Sequence, residues 1–290
     1  MLDSPHDLLL PDLFARRLPL FLLNFVRART NEKQGCTLMV AADLSSSQIL
    51  HPYLVMTGVT GPGKGRGTTL DTRYSTWNGT ATVRFQPKHW FDVVITIAWL
   101  KWLKAQYPPG TKIGLIWDHA PAQKKSCTAV QDFIDKNKDW LIVELIPGGM
   151  TSILQVCDIT CNAVLKHLVK RGYYRWRLKE MKRVKAENPK QVHFKLKMPR
   201  DDLIKIVEEA FKIYNEGELD DSEDGRRHHF KSIERTFKKV GQNPWCDDNS
   251  EFERHLSELS EDAMYKALLS NQKAQELCPD VAMGADQSRC

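Results

Sequence analysis

The segment GLIWDHAPAQKKS, residues 114–126, runs from an apolar stretch directly into an aspartate. Its first four residues are apolar without alternation, which is typical of a central strand that is buried on both faces. Asp118 follows at once, and Pro121 prevents the strand from continuing. Catalytic and ligand-binding groups of open α/β sheets gather at such strand ends, so Asp118 is a candidate site residue. An ordinary strand end, whose aspartate caps the next turn, explains the same pattern.

A second carboxylate, Asp158, follows the next predicted strand in ELIPGGMTSILQVCDIT, residues 144–160. The PGG sequence turns the chain, and the pattern S-x-x-Q from Ser152 to Gln155 predicts a capping box that begins a helix. Asp158 then lies early in that helix, where its carboxylate can converge with Asp118. Such a pair of oxygen ligands is suited to Mg²⁺ beside phosphate groups. The alternative is a charge at a helix N-terminus that contributes under about 1 kcal/mol, and the spacing alone leaves both interpretations open.

Hydrophobic periodicity predicts a mixed α/β order for the chain. Strands are predicted at residues 36–42, 49–56, 80–85, 112–117 and 140–146. Pro52 indicates that the second of them has an exposed or irregular edge. Helices are predicted at residues 89–106 and 125–137, from 152 or 158 onwards, and at 201–216. An acidic linker, GELDDSEDG, precedes a last helix that Gly241 ends. The apolar run LPLFLLNFV is interpreted as a core segment, because no stretch reaches the roughly 18 apolar residues of a membrane span.

Basic residues concentrate in one part of the chain. Residues 161–200 hold thirteen lysines or arginines and two glutamates, a local charge of +11 in a chain whose net charge is +6. Such an excess, interleaved with Tyr173, Tyr174 and Trp176, favours a nucleic-acid partner over a merely solvated helix face. The candidate DNA contacts in the predicted helix are Lys166, Lys170, Arg171, Arg175 and Arg177.

The cysteines favour a reduced compartment. Seven of them are scattered without a C-x-x-C pair, which argues against a disulfide framework or a zinc module. Cys157 and Cys161 are accordingly interpreted as core or surface thiols.

The two carboxylate segments together resemble a known family. DHAPAQ, residues 118–123, is similar to the D-N-A-P-x-H motif that ends a strand in the DDE superfamily endonuclease domain of pogo/Tigger/jerky-type transposases. PGGMTSILQVCD, residues 147–158, is similar to the P-x-x-x-T-S-x-x-Q-P-x-D motif after the next strand, and a looser resemblance extends over residues 31–245. The resemblance implies a ribonuclease H-like mixed sheet flanked by helices over residues 1–200. A helical extension with the acidic linker then covers residues 201–245, and a helical, then mobile, tail covers residues 246–290.

The resemblance also implies a chemistry and a location. Asp118 and Asp158 would be catalytic ligands of Mg²⁺ or Mn²⁺ in DNA strand cleavage and transfer. DNA would be the partner and the nucleus the location. No membrane partner is implied, and assembly into a homo-oligomer is left open.

The sequence departs from the family pattern where a first acidic ligand is expected. That ligand belongs on a strand well upstream of Cys36, but the acids there are Asp3, Asp7 and Asp12, and none lies in a clean strand. Further departures are His119 for asparagine, Gln123 for histidine and Val156 for proline, and the family's DNA-binding helix-turn-helix modules are not recognised in the sequence. We therefore expect an N-terminally truncated or degenerate member with weak or lost activity. A non-catalytic DNA-binding scaffold on the same fold is the alternative.

A nucleotide hydrolase is a less favoured alternative. The stretch GVTGPGKG, residues 58–65, differs by one residue from a phosphate-binding loop, G-x-x-x-x-G-K-[ST]. Gly65 stands where a hydroxyl must bind the metal, and the residues that follow do not favour the helix whose N-terminus would hold phosphate. A surface loop explains this stretch more simply.

Overall fold

In the computed structural model of the chain, a seven-stranded mixed sheet lies between two layers of helices. The structure describes residues 20–31, 34–58, 74–118, 128–147, 150–190, 196–216, 233–246 and 248–258. The strands are β1 (Leu20–Asn31), β2 (Gln34–Asp43), β3 (Gln48–Ile49), β4 (Tyr53–Thr57), β5 (Thr82–Gln86), β6 (Ile113–Trp117) and β7 (Leu141–Leu145). The helices are α1 (Val93–Ala105), α2 (Thr128–Asp135), α3 (Thr151–Leu154), α4 (Asn162–Glu187), α5 (Arg200–Glu216), α6 (Ile233–Lys239) and α7 (Ser250–Ser257), with one π-helical turn at Cys157–Cys161 before α4.

The sheet has the order β5-β4-β2-β1-β6-β7, and β3 pairs with β2. Strands β1, β2 and β4 form an antiparallel meander, whereas β6 and β7 join parallel to β1 and β5 joins parallel to β4. Neighbouring parallel strands need long crossover connections, and α2 lies in the one between β6 and β7. This mixed sheet flanked by helices confirms the predicted ribonuclease H-like α/β fold.

Strand β1 lies in the middle of the sheet. It pairs with β2 along ten residue pairs and with β6 along four, ending at Leu23 opposite Trp117. The apolar run that we interpreted as a core segment is therefore a central strand, and its composition suits that position.

Side chains of alternate strand residues supply two cores, one on each face of the sheet. In β2, Leu38, Val40 and Ala42 face the core formed with the π-helical turn, α4, α5 and α6. Met39 and Ala41 face the core formed with α1 and α2. The sheet thus separates the helix layer that carries the basic segment of residues 161–200 from the layer of α1 and α2.

The strand predicted at residues 49–56 is interrupted at residues 50–52 and forms β3 and β4. Pro52 lies in this interruption, where its carbonyl accepts the backbone N–H of Thr82 at 2.9 Å. The irregularity is confirmed, but an exposed edge is wrong for β4, because this strand pairs with β2 on one side and β5 on the other.

One predicted helix start and one predicted cap are wrong. Helix α1 begins at Val93, because the Asp92 side chain accepts the N–H of Ile95 at 2.9 Å as an N-cap. The capping box at Ser152 is absent: Met150 precedes α3, no side chain caps it, and the helix ends after a single turn. The long basic helix then begins only after the π-helical turn.

The later helices agree with the sequence pattern. Helix α5 confirms the prediction at residues 201–216, and Gly241, with a φ of +67°, follows α6 as its predicted stop. Both helices pack in the core beneath α4, through residues such as Val207 and Phe237. No helix in the described ranges is long and apolar enough to cross a membrane. The tail beyond residue 258 and the stretch at residues 59–65 lie outside the described residues, and the predicted domain boundaries stay predictions.

Candidate functional site

Asp118 lies immediately after β6, at the C-terminal end of a strand buried along its whole length. It is half-buried. Ile116 faces the core on the α4 side of the sheet, and strand alternation directs position 118 to the same side. The carbonyl of Trp117 accepts the N–H of Ile146 at 2.9 Å, which holds the end of β7 beside this position.

Asp158 lies in the π-helical turn between α3 and α4. Such turns are rare and often occur at functional sites, because the extra residue redirects the side chains that follow. The turn packs against β1 and β2. Its cysteines Cys157 and Cys161 are fully buried, and the Cys157 thiol lies 3.8 Å from the carbonyl oxygen of Val40.

Strand register relates the two aspartates. Val40, which the Cys157 thiol contacts, pairs with Asn24 of β1. Leu23 pairs with Trp117, so one further step along the register brings Asn24 level with Asp118. Asp118 lies beside β1, and Asp158 lies in a turn that packs over β1 and β2, so the register brings both aspartates near the same level of the sheet. An approach of the carboxylate oxygens to about 4–6 Å, as a shared metal requires, stays a prediction.

The described residues alone do not supply a complete metal site. Among the described residues, no group of three or more His, Cys, Asp or Glu side chains could hold a metal ion. The candidates Asp3, Asp7 and Asp12 lie outside the described residues. The residue of β1 level with Asp118 is Asn24, which sequence reasoning missed, although a polar residue within the apolar run LFLLNFV was a signal. Oxygen ligands of the two aspartates suit Mg²⁺ in kind, but two carboxylates are fewer than the family's three.

Asp43 has a structural role that excludes it from this site. It pairs with Phe21, which is three residues away from Asn24 along β1. Its buried carboxylate accepts the N–H and hydroxyl of Ser45, the hydroxyl of Ser46 and, at 3.2 Å, that of Tyr107. Burial, followed by the negative charge of Asp43, raises the pKa of Tyr107, so the phenol stays protonated and donates.

The cysteines beside Asp158 are core residues, as one of the two interpretations predicted. Burial raises the pKa of the Cys157 thiol, and its hydrogen bond with Cys161 raises it further. The Tyr214 hydroxyl lies 3.3 Å from the Cys161 sulfur, and burial raises the pKa of that phenol as well. The Cys157 thiol and the Tyr214 phenol are therefore neutral near pH 7, and their contacts fix the π-helical turn to the core.

The predicted DNA contacts all lie on α4, downstream of Asp158. Four are exposed and Arg171 is half-buried; the exposed ones are Lys166, Lys170, Arg175 and Arg177. At about 100° per residue, Lys166, Lys170 and Arg177 form one stripe about 40° wide, and Arg171 and Arg175 form a second. Tyr174 lies between the stripes, 48% exposed, with the Lys170 ammonium 5.8 Å from its ring. We call these five basic residues and Tyr174 the basic face of α4.

The other two aromatic residues of this segment serve packing. Tyr173 and Trp176 stack with ring centroids 6.2 Å apart, and the Trp176 indole N–H donates to Asp202 of α5 at 2.9 Å. Gly172 lies so close to Ile206 that an added Cβ would come within 2.6 Å of its side chain. Of the three aromatic residues considered for base stacking, Tyr174 is thus the one on the surface.

Comparison with known proteins identifies the family. The family described as DDE superfamily endonuclease matches residues 33–216, which include Asp118, Asp158 and the basic face of α4 but begin after β1. No match was found among curated proteins or among solved structures. Because the match covers more than half of the 290 residues, the chain belongs to the DDE superfamily endonuclease family.

Proposed function

We propose that this chain is a transposase-derived DDE domain of the pogo/Tigger/jerky type that binds DNA and has weak or lost strand-cleavage activity. The observation that carries the proposal is the basic face of α4, which continues directly from the turn that bears Asp158. A substrate backbone held along this helix would lie beside the candidate carboxylates. The nucleus is the proposed location because it holds the proposed partner, DNA.

The basic face is suited to phosphate contact without base reading. Helix α4 has 26 residues and is therefore about 39 Å long, which is enough to follow several phosphates. Lysine and arginine contacts to phosphate fix position but carry no sequence information. We therefore expect DNA duplexes of different sequence to bind with similar affinity.

Weak or lost cleavage follows from the composition of the candidate site. Asp118 and Asp158 would hold Mg²⁺ or Mn²⁺, and such an ion stabilises charge on the attacking and leaving oxygens of a phosphoryl displacement. The residue of β1 level with Asp118 is the neutral Asn24, so β1 would supply no third carboxylate there. A weakly held ion is poorly positioned, and a displacement of about 1 Å can reduce a rate about a hundredfold.

The proposal is tested by two measurements on the full chain. Fluorescence anisotropy with two unrelated duplexes should give similar dissociation constants. A plasmid-nicking assay with Mg²⁺ or Mn²⁺ should give little or no product. Absence of binding at low salt would contradict the DNA-binding proposal. Robust nicking that is lost in both Asp118→Ala and Asp158→Ala would contradict the proposed loss of activity.

A further inference from the structure

We infer that Asn162 is a positioning residue for Asp158, which it orients for binding a divalent cation; this inference rests on the proposed function of Asp158. Asn162 is the first residue of α4 and is 3% exposed. Its side-chain N–H donates to one carboxylate oxygen of Asp158, Oδ1, at 2.8 Å. Asp158 is half-buried, so the bond links a core amide to a carboxylate nearer the surface.

The chemistry of the pair defines the direction of this bond. An ionised carboxylate only accepts hydrogen bonds, so the amide must present Nδ2 to Asp158. The amide oxygen is then turned away from the carboxylate, and it is buried without a hydrogen-bond partner among the described residues. An unpaired buried oxygen is unfavourable, whereas an apolar side chain of similar size would avoid it. An amide at this position can donate a hydrogen bond to Asp158, whereas an apolar residue cannot.

The backbone of Asn162 strengthens the arrangement. Its backbone N–H donates to the carbonyl of Cys157, five residues earlier, and closes the π-helical turn. The same residue thus closes the turn through its main chain and holds the carboxylate within the turn through its side chain. Because buried cysteines anchor the turn against β2, Asp158 is oriented relative to the sheet and therefore to Asp118.

Partners of this kind influence metal affinity without contacting the metal. Removing a residue that orients a metal ligand typically weakens metal binding about 10–100-fold. We therefore expect Asn162→Leu, which keeps the branched shape of the side chain but cannot donate, to weaken Mn²⁺ binding at least about tenfold. Its thermal stability should stay close to that of the wild type.

The test is titration of the full chain with Mn²⁺ alone, with free Mn²⁺ followed by electron paramagnetic resonance. The matched control is Asn215→Leu, because the Asn215 amide donates to the carbonyl of Ile49 and accepts its N–H, both at 2.9 Å, away from Asp158. The control should lower the melting temperature and leave Mn²⁺ affinity unchanged. Asp158→Asn should abolish binding.

The outcomes separate the inference from the proposed function. If Asp158→Asn abolishes binding but Asn162→Leu binds Mn²⁺ within twofold of wild type, the positioning role is wrong and the metal site stands. If the wild type binds no Mn²⁺, both the proposed metal site and the positioning role of Asn162 are wrong. If Asn162→Leu fails to fold, Asn162→Ser replaces it in the comparison of Mn²⁺ affinity with the wild type. The serine hydroxyl is too short to reach the carboxylate in the same way. Wild-type affinity in the folded serine variant would then refute the positioning role.

Discussion

Neutralising the basic face of α4 should reduce the salt dependence of DNA binding by a calculable amount. The change replaces five residues by glutamine: Lys166, Lys170, Arg171, Arg175 and Arg177. Each neutralised phosphate contributes about −0.9 to the slope of log affinity against log salt. Four of the five side chains are exposed and one is half-buried. If four or five of them contact phosphate, the slope should become shallower by about 3.6 to 4.5.

The same numbers give an effect on affinity that is easy to measure. Between 50 and 200 mM salt, this difference in slope makes the wild type lose about 2.2 to 2.7 orders of magnitude more affinity than the variant. The assay is fluorescence anisotropy with a labelled duplex at several NaCl concentrations. Circular dichroism should show that α4 still forms, because the basic face points away from the residues that pack on α5.

A matched control separates location from total charge. Four exposed lysines of α1 and of the segment after α2, on the other side of the sheet, can be changed to glutamine for a similar loss of charge: Lys101, Lys104, Lys136 and Lys138. This control should retain the wild-type slope. If the α4 variant keeps its slope, or both variants lose it equally, α4 is not the contact surface.

Three other predictions follow from single positions. Asn24→Asp should increase Mg²⁺-dependent plasmid nicking, and adding Asp118→Ala should remove the gain; an unchanged rate would mean that position 24 is not at the site. Asp43→Ala should lower the free energy of unfolding in urea by about 2–4 kcal/mol, because Tyr107 and the β2–β3 turn lose their buried acceptor; a loss below about 0.5 kcal/mol would contradict this role. Stability should fall as pH rises above about 8.5, because burial raises the pKa of Cys157 and only the unfolded chain then ionises this thiol. Between pH 8 and pH 10, the free energy of unfolding in urea should fall less in Cys157→Ala than in the wild type.

Local patterns predicted the strands better than the helix ends. The strand predicted at residues 112–117 is observed at Ile113–Trp117, and the one at 140–146 is observed at Leu141–Leu145, because each apolar run is bounded by polar residues or proline. Helix starts depend on which side chain reaches a backbone N–H. At α1 this is Asp92, but at α3 no side chain does so, and the capping-box pattern was misleading.

The π-helical turn could not be predicted from periodicity. A helix pattern with period 3.6 runs through the segment, whereas the turn depends on Cys157 and Cys161 both reaching the core against β2. The motif nevertheless identified Asp158 as a candidate, because its place after the β7 strand does not depend on the local helix type. The contact from Asn162 became visible only with the turn.

Which residue of β1 lies level with Asp118 depends on pairing between distant strands, and the linear sequence does not show it. The upstream acids of the sequence were the natural candidates, but register between β1 and β6 brings Asn24 level with Asp118. Two carboxylates balance the charge of one divalent cation, whereas a second cation would add two uncompensated positive charges. The site is therefore expected to hold one ion, and phosphate binding by α4 does not require it. DNA binding can accordingly persist where cleavage is weak, and supplying one carboxylate at position 24 is the smallest change that would couple the two.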